Sequence, residues 1–282
     1  MNVLSLFNGM STGHTALDNV GIKVDKYYSS EIKPAAIKLT QHHYPDTIQV
    51  GDVTKWKEWD IDWKNIDIVL SGSPCQDLSA AGKRVGLYGS RSSLFFVFVD
   101  ILNHIKELNP NVLFLQENVG SATKKDIGIM SRALGVYPVR INSSLVTAQL
   151  RDRYYWSNIR TTQDGLFTDL VTDIPLPENK KILLENIITS GSVDKDKHSC
   201  LNTGSGIGGT QKYLKHRNNT TGMITLINEN DKVRTVNKIE MCRLQGFPDD
   251  WCDILTTAEA GNLLGDGWTL PIIEHIFSYI EK

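Results

Sequence analysis

Short apolar runs alternate with segments of helical periodicity through the first 160 residues, and this alternation is the feature that most constrains the fold. Val3–Phe7, Ile66–Ser71 and Val112–Leu115 have the length and apolar content of buried strands, and Leu94–Leu108 has the period of a strongly apolar helix. Strands that alternate with helices are typical of a parallel sheet with crossover helices. We therefore predict an α/β fold with a doubly wound, mostly parallel sheet.

Local signals mark the ends of several predicted helices. Gly21 ends the first helix, because glycine tolerates the positive φ that a helix end requires, and Pro34 lies in the first turn of the second. Asn237 and Glu240 have the spacing of a capping box, and the last helix begins around Pro271.

One internal segment differs in character from the rest of the chain. Residues 165–232 are polar, lack clean periodicity and include the glycine-rich stretch Thr203–Thr210. The simplest layout is one large domain of residues 1–164 and 233–282, interrupted by a small insertion at 165–232.

Composition excludes several classes of protein. No apolar run approaches the roughly 20 residues that span a bilayer, and the N-terminus lacks the basic region and cleavage site of a signal peptide. The four cysteines show no Cys-x-x-Cys spacing, which argues against disulfides and a structural zinc. We therefore expect an intracellular protein without a membrane or metal partner. The formal net charge of −2 does not exclude DNA as a binding partner, because DNA binding needs only a local basic face.

Polar residues follow the first strands of the predicted sheet. The loop Phe7–Gly13 leads into the first helix, where backbone amides and the positive helix end favour an anionic group. Glu31 ends the second strand, where nucleotide binders place an acid against ribose hydroxyls, and Asp52 could meet an adenine amine. Singly, each is better explained as a glycine turn, a solvated acid or a turn residue. In this order they favour an adenosine-type cofactor, and the absence of Gly-x-Gly-x-x-Gly disfavours a dinucleotide.

Cys75 is the candidate nucleophile. It follows Pro74 in a polar loop at the carboxyl end of a strand, where ligands bind in open α/β sheets and a cysteine can be exposed and activated. A buried structural cysteine is the alternative. Glu117 ends the next strand and should project over the same edge, unless it caps the segment that follows.

Three polar residues alternate along a further predicted strand: Gln149, Arg151 and Arg153. Side chains two residues apart in a strand share a face, so the pattern indicates an anion or a base as partner. An exposed charged strand is the alternative.

These signals occur in the order of a known series of motifs. The series is Phe7–Gly13, Glu31, Gly51-Asp52, Gly72-Ser73-Pro74-Cys75-Gln76, Glu117-Asn118-Val119, Gln149-x-Arg151-x-Arg153, Arg234-Thr235-Val236, Arg243-Leu244-Gln245-Gly246-Phe247-Pro248-Asp249 and Gly265-Asp266-Gly267-Trp268. In this series the chain resembles the DNA cytosine-5 methyltransferase family. The resemblance covers nearly the whole chain except 165–232, where that family keeps its target-recognition domain. It implies a Rossmann-like S-adenosylmethionine-dependent methyltransferase fold and methyl transfer to carbon 5 of cytosine in DNA.

The resemblance also implies catalytic roles. Cys75 would add as a thiolate to carbon 6 of cytosine, which makes carbon 5 nucleophilic. Glu117 would hydrogen-bond the ring nitrogen and exocyclic amine, and Arg153 would hold the base carbonyl oxygen and, with Arg151, orient the catalytic loop. The target base must be flipped out of the duplex, because its carbon is inaccessible in the stack.

The implied cofactor is S-adenosylmethionine, and no metal is implied. Phe7 would pack on the adenine, Asp52 would accept from its amine, Glu31 would bind the ribose and Trp268 would close the pocket. The full set of implied cofactor residues is Phe7, Asn8, Gly9, Thr12, Glu31, Asp52, Val53, Pro74 and Trp268.

The implied partner is double-stranded DNA, and a cognate restriction endonuclease is a further candidate for a prokaryotic or phage-encoded enzyme. Residues 79–93 are suited to a loop that closes over DNA, and the basic side chains of the insertion can neutralise phosphates. A surface loop and a solvated charged insertion are the alternatives. The DNA-binding candidates are Lys83, Arg84, Arg91, Lys212, Lys215 and Arg217, to which the insertion adds Lys195 and Lys197.

The closing motif departs from the family's usual Gly-Asn-Ser/Ala-Val, because Asp266 stands in place of the asparagine. Together with Ser5–Gly9, this wording is closer to the de novo methyltransferase branch of animals. Two other functions stay open: an RNA (tRNA) cytosine-5 methyltransferase on the same scaffold, and a non-catalytic DNA-binding homologue. Retention of Cys75, Glu117 and Arg153 argues against the second.

Overall fold

A large sheet forms the centre of unit 1, one of two compact units in the computed structural model. The structure describes residues 1–74, 94–164, 169–204, 210–212, 214–216 and 224–281. Unit 1 comprises Met1–Ile141, Asp152–Leu176 and Glu274–Lys282, and unit 2 comprises Asn142–Arg151 and Pro177–Ile273. Residues 177–232 of the predicted insertion thus lie in unit 2 with residues 233–273, which the sequence assigns to the larger domain. The role of the insertion in target recognition stays a prediction.

The central sheet has seven strands in the order β3-β2-β1-β4-β5-β8-β7. Among the described residues, the strands are β1 Asn2–Leu6, β2 Lys26–Ser30, β3 Ile48–Gln49, β4 Ile68–Ser71, β5 Leu113–Val119, β6 Val136–Tyr137, β7 Val139–Asn142, β8 Asp152–Ser157, β9 Thr161–Gln163, β10 Leu170–Thr172, β11 Ile227–Glu229 and β12 Lys232–Arg234. Strands β1 to β5 pair in parallel, and β8 pairs antiparallel to β5. The chain moves outward from β1 to β3 and then returns past β1 to β4 and β5. The predicted doubly wound, mostly parallel sheet is therefore confirmed.

Helices connect these strands. They are α1 Thr12–Asn19, α2 Pro34–His43, α3 Leu94–Leu108, α4 Lys124–Leu134, α5 Lys238–Gln245, α6 Thr257–Asp266 and α7 Leu270–Phe277. Helix α3 has the predicted bounds, because apolar residues recur every three or four positions along its buried face. That face packs in one core with side chains of β1 and β4. The predicted positive φ at Gly21 and the predicted position of Pro34 in the first turn of α2 are also confirmed.

Several predicted strand boundaries are wrong. Strand β4 begins at Ile68 and not at Ile66, and β5 continues to Val119, so Glu117 lies within this strand and not at its end. Strand β1 ends at Leu6 because Phe7 has a φ of 55°, outside the extended region. The segment from Gln149 to Arg153 is not one strand, since β8 begins only at Asp152. Gln149 pairs instead with His198 in an isolated bridge of unit 2, so the three polar residues do not share one strand face.

The described residues also bear on the predictions about membrane spans, metal sites and disulfides. Among them, no helix is long and apolar enough to cross a membrane. In the same ranges, no group of three or more His, Cys, Asp or Glu side chains could hold a metal ion. None of Cys200, Cys242 and Cys252 forms a disulfide.

Asn237 and Glu240 cap helix α5 as predicted. Asn237 Oδ1 accepts from the Glu240 N–H at 2.9 Å, and Glu240 Oε2 accepts from the Asn237 N–H at 2.8 Å. The buried Glu240 carboxylate also accepts from Arg234 Nη1 at 2.8 Å and from the Thr189 N–H at 2.8 Å. Burial raises the pKa of Glu240, but the hydrogen bonds from Arg234, Thr189 and Asn237 outweigh it, so its pKa lies below its ordinary value.

Replacement of Glu240 by Gln is expected to lower the free energy of unfolding by about 3 kcal/mol, because it removes the buried charge that Arg234 requires. A lowered folded pKa stabilises the protein at neutral pH, and this contribution is lost as the pH falls through the folded pKa. Thermal unfolding from neutral to acid pH should therefore show a steeper loss for the wild type than for the variant.

Glu229→Gln is the matched control. It removes the other carboxylate of Arg234, which is more exposed, and should cost less than about 1 kcal/mol. Equal losses for the two variants would contradict the role assigned to burial.

Candidate active site

The carboxyl ends of four parallel strands lie at one edge of the sheet of unit 1. Leu6 of β1 stands opposite both Ser30 of β2 and Ser71 of β4, and Ser71 stands opposite Gln116 of β5. The predicted site residues Phe7 and Glu31 follow directly at this edge, and so does the segment that leads to Cys75. Ligands bind outside such an edge in open α/β sheets, at the point where the strand order reverses.

The first loop has an unusual backbone. Phe7, Gly9 and Ser11 all have positive φ angles, of 55°, 59° and 60°. Left-handed backbone disfavours residues that carry a Cβ, so Phe7 and Ser11 are strained. The loop is tied to β2 by the Asn8 N–H, which donates to Ser30 O at 3.2 Å. Thr12, the remaining loop candidate, is the buried first residue of α1.

Glu31 is held by three backbone N–H groups. Its Oε2 accepts from Gly9 at 2.8 Å, and its Oε1 accepts from Ile32 at 2.8 Å and Lys33 at 2.9 Å. A carboxylate offers roughly four acceptor sites, so capacity remains for a hydroxyl. The Glu31 carboxylate thus fixes Gly9 of the first loop and can also accept a hydrogen bond from a ligand.

Asp52 lies beside Glu31 along the edge, after β3. Ser30 Oγ of β2 donates to Gly51 O at 2.7 Å. Asp52 Oδ1 accepts from the N–H and the hydroxyl of Thr54, both at 2.9 Å. The Thr54 N–H bond is the main cause that keeps the pKa of Asp52 below its usual value. The carboxylate is therefore ionised and can accept from an amine, while the neighbouring candidate Val53 is buried.

Glu117 of β5 and Arg153 of β8 form an ion pair. Strand register places Arg153 opposite Val119, so Glu117 and Arg153 are diagonal neighbours on one face of β5 and β8. Arg153 Nε lies 2.8 Å from Glu117 Oε1, with the side chains 14% and 12% exposed. Arg153 Nη1 also donates to Asp152 O at 2.8 Å. The guanidinium thus fixes the position of the Glu117 carboxylate.

The segment that leads to Cys75 is fixed beside Glu117. Gln116 Nε2 donates to Ser73 Oγ at 3.0 Å and to Glu117 O at 2.6 Å. Pro74 is half-buried. Four predicted site residues lie outside the described residues in this part of the chain: Cys75, Lys83, Arg84 and Arg91.

Arg151 belongs to unit 2, unlike Arg153. It is 3% exposed, and its guanidinium donates to the Leu201, Gly265 and Gly267 carbonyl oxygens at 3.0, 3.1 and 2.7 Å. The predicted common face of Arg151 and Arg153 is therefore wrong: Arg151 ties together distant segments of unit 2.

Gln245 and Gly246 of the motif Arg243–Asp249 have structural contacts in the same unit. Gln245 Oε1 accepts from Gln149 Nε2 and from Thr269 Oγ1, both at 2.9 Å. Gly246 has a φ of 82°, and a Cβ added there would lie 2.3 Å from Pro271 Cδ. The motif residues of unit 2 thus pack against one another.

The basic candidates of the insertion differ in their surroundings. Lys212 and Lys215 are exposed in unit 2, and Arg217 lies outside the described residues. Lys197 Nζ donates to the carbonyl oxygens of Ser144, Thr147 and Ile182 at 2.8, 2.9 and 2.6 Å. The prediction of a phosphate contact by Lys197 is therefore wrong, because backbone carbonyls occupy its ammonium group.

Trp268 is half-buried in unit 2. Its predicted closure of the cofactor pocket stays a prediction.

Sequence reasoning missed Ile32, Tyr27 and Thr40. Ile32 follows Glu31 and is 69% exposed, a large apolar side chain at the site edge. Its position directly after Glu31 is a signal that the sequence offered. Tyr27 and Thr40 are buried behind the first loop and contact Asn8, and no local pattern marks them.

Comparison with known proteins finds a matching family model and a similar sequence. Residues 1–136 match the family model for C-5 cytosine-specific DNA methylase. The type II methyltransferase M1.ScrFI of Lactococcus lactis subsp. cremoris is 30% identical over 294 aligned residues, which cover 92% of this chain and 74% of that protein.

Two further similarities concern a phage protein and a solved structure. The orphan methyltransferase M.Rho11sI of Bacillus phage rho11s is 34% identical over 175 residues, which cover 57% of this chain and 33% of that protein. The solved structure of the Entamoeba histolytica methyltransferase EhMeth has a TM-score of 0.68 at 16% identity and covers 99% of this chain and 97% of that chain. The structural likeness shows the fold.

Gly246→Ala is expected to lower the free energy of unfolding by about 3 kcal/mol, because left-handed strain and the collision with Pro271 add together. Gly135→Ala is the matched control at another helix end, with a φ of 74° and no atom within 4 Å of the added Cβ. It should cost only about 1 kcal/mol. Denaturant unfolding measures both losses, and similar values would show that Pro271 gives way.

Proposed function

The chain belongs to the C-5 cytosine-specific DNA methylase family, and we propose that it methylates carbon 5 of cytosine in DNA through Cys75, Glu117 and Arg153. The observation that carries this assignment is the Glu117–Arg153 ion pair, at the sheet edge where the segment leading to Cys75 is hydrogen-bonded to Gln116. The strand order and the family resemblance support the same assignment.

Cys75 provides covalent catalysis. Carbon 5 of cytosine is a poor nucleophile, and addition of the Cys75 thiolate to carbon 6 moves electron density to carbon 5. After methyl transfer, the proton on carbon 5 is removed and the bond between Cys75 and carbon 6 breaks. These two events restore the aromatic ring and release the thiolate.

Glu117 and Arg153 stabilise the charge that develops on the base. We assign Glu117 to the ring nitrogen and exocyclic amine and Arg153 to the carbonyl oxygen. Their mutual bond of 2.8 Å favours this role, because preorganised polar groups need little rearrangement during the reaction. Arg151 is assigned a positioning role, since it fixes the chain two residues before Arg153.

The first loop, Glu31 and Asp52 fit S-adenosylmethionine. When bound, this cofactor supplies an electrophilic methyl group on a sulfonium. The three backbone donors on Glu31 hold its carboxylate at the sheet edge, where it would accept from ribose hydroxyls. Phe7 and the exposed Ile32 would contact the adenine, and the ionised Asp52 would accept from its amine. We also assign the remaining candidates of unit 1 to the cofactor site. These are Asn8, Gly9, Thr12, Val53 and Pro74.

The proposed substrate is double-stranded DNA with the target base flipped out. The exposed Lys212 and Lys215 support contact of the segment 165–232 with phosphates. Their predicted partners Lys83, Arg84, Arg91 and Arg217 lie outside the described residues. The two proteins of similar sequence named above are a bacterial and a phage methyltransferase, which favours a prokaryotic or phage enzyme with or without a cognate endonuclease.

DNA that carries 5-fluorocytosine at the target should trap the enzyme covalently in the presence of S-adenosylmethionine. Fluorine prevents the final proton removal, so the adduct should survive denaturing electrophoresis. Cys75→Ala should abolish trapping and methylation. Glu117→Gln should slow methyl transfer far more than it weakens DNA binding, because its contact strengthens as charge develops.

The matched control is Cys200→Ala, which changes a cysteine of unit 2 and should still be trapped. A near-normal rate in the Cys75→Ala variant would contradict the covalent step. Methyl transfer to tRNA and not to DNA would contradict the substrate.

Replacement of Glu31 by Ala should weaken binding of S-adenosylhomocysteine, the demethylated cofactor, by about 10- to 100-fold. Bonds to a charged acceptor contribute roughly 1.5–3 kcal/mol, which corresponds to this range. Calorimetric titration measures the change, and Glu31→Gln should lie between the variant and the wild type. Glu107→Ala, at an exposed glutamate of α3, is the control. Unchanged affinity in Glu31→Ala would remove Glu31 from the site.

A further inference from the structure

The first loop cannot hold its conformation by local preference. Two of its residues that carry a Cβ, Phe7 and Ser11, lie in the left-handed region with φ angles of 55° and 60°. Backbone strain of this kind persists only where surrounding contacts over-determine the conformation. The contacts that fix this loop are therefore as important to its shape as the loop residues themselves.

Asn8 is the point at which those contacts meet. Its Oδ1 accepts from the Tyr27 hydroxyl at 3.0 Å, and its Nδ2 donates to Ser11 Oγ at 2.9 Å and to Thr40 Oγ1 at 3.2 Å. Ser11 Oγ and Thr40 Oγ1 are 2.8 Å apart and share a further hydrogen bond. All four side chains are buried, so a lost bond cannot be replaced easily by water.

Tyr27 is itself held rigidly. Its ring stacks on His14 of α1, with ring centroids 4.4 Å apart, and a Cβ added to Gly13 would lie 3.3 Å from its hydroxyl. Burial raises the pKa of Tyr27 above its usual value, so the hydroxyl keeps the proton that it donates. Burial also lowers the pKa of His14 to about 4, so its ring is neutral near neutral pH.

We propose that Tyr27 and Thr40 are positioning residues for cofactor binding, because through Asn8 they hold the strained loop Phe7–Ser11 in the conformation that receives the cofactor. Neither residue needs to touch the cofactor. The inference rests on the proposed function, which places the cofactor at this loop.

The expected effect follows from conformational populations. If the binding conformation is only partly populated, the apparent dissociation constant rises in proportion to the lost fraction. Loss of the Tyr27 hydroxyl leaves Asn8 Oδ1 buried without its donor and should favour other loop conformations. The bound complex, once formed, has the same contacts with the cofactor as in the wild type.

The test compares two tyrosines that stack on opposite sides of His14. Tyr27→Phe removes the hydroxyl that donates to Asn8. Tyr44→Phe is the matched control, because its ring centroid lies 3.8 Å from that of His14 and its hydroxyl donates to Thr15 at 3.0 Å. Isothermal titration with S-adenosylhomocysteine should show roughly 10-fold weaker binding for Tyr27→Phe and less than twofold change for Tyr44→Phe.

A second pair of variants tests Thr40 in the same way. Thr40→Val removes the hydroxyl at nearly constant volume and should weaken binding several-fold, whereas Thr40→Ser keeps the hydroxyl and should restore it. In steady-state methylation, Tyr27→Phe and Thr40→Val should raise the KM for the cofactor and leave kcat at saturating cofactor within about twofold, since the bound complex is unchanged.

The outcomes separate this inference from the proposed function. If the wild-type protein does not bind S-adenosylhomocysteine, the cofactor assignment fails. If the wild type binds and Tyr27→Phe binds equally well, the positioning role is overturned. Equal weakening in Tyr27→Phe and Tyr44→Phe, or failure of Thr40→Ser to restore binding, would also overturn it, because the effect would then be a general loss of packing.

Discussion

The in-register parallel pairing of β1 with β2 and β4 is the constraint on which the candidate site depends. Leu6 lies level with Ser30 and with Ser71, so three chain segments leave the sheet at the same height. A slip of one residue in either pairing would turn every side chain of the slipped strand to the opposite face. The buried apolar side chains of β1 and β4 resist such a slip, so the core also fixes the height at which Glu31 and the segment leading to Cys75 emerge.

Buried polar contacts complete what the apolar core cannot specify. In unit 1, the side chains of Asn8 and Glu31 hold a strained loop through hydrogen bonds. In unit 2, Arg151 donates to carbonyl oxygens of distant segments, and Glu240 accepts from N–H groups and from the guanidinium of Arg234. A buried polar group without partners costs more than a satisfied one contributes. These networks therefore favour one arrangement of the loops over many alternatives that an apolar core would tolerate equally.

Several residues of the motif series contact one another within unit 2. Gln149 and Gln245 bond to each other, Gly246 makes room for Pro271, and Arg151 is bonded to the carbonyl oxygens of Gly265 and Gly267. Arg153, two residues after Arg151, instead faces Glu117. A motif can thus combine residues of different roles, and only their partners tell these roles apart.

The sequence by itself determined the features that depend on near neighbours in the chain. The period of Leu94–Leu108 defined helix α3, the spacing of Asn237 and Glu240 defined a helix cap, and the position of Glu31 at a strand end placed it at the sheet edge. Each of these follows from local periodicity, local capping or strand direction, which sequence patterns record directly.

Only the tertiary structure decided which partners distant segments supply. It separated Arg151 from Arg153, engaged Lys197 with backbone carbonyls, and brought Tyr27 and Thr40 to Asn8. The physical reason is that a buried donor or acceptor must find a partner, and the partner that reaches it is set by how helices and strands pack. That packing brings together residues that are far apart in the chain, so no local sequence pattern predicts it.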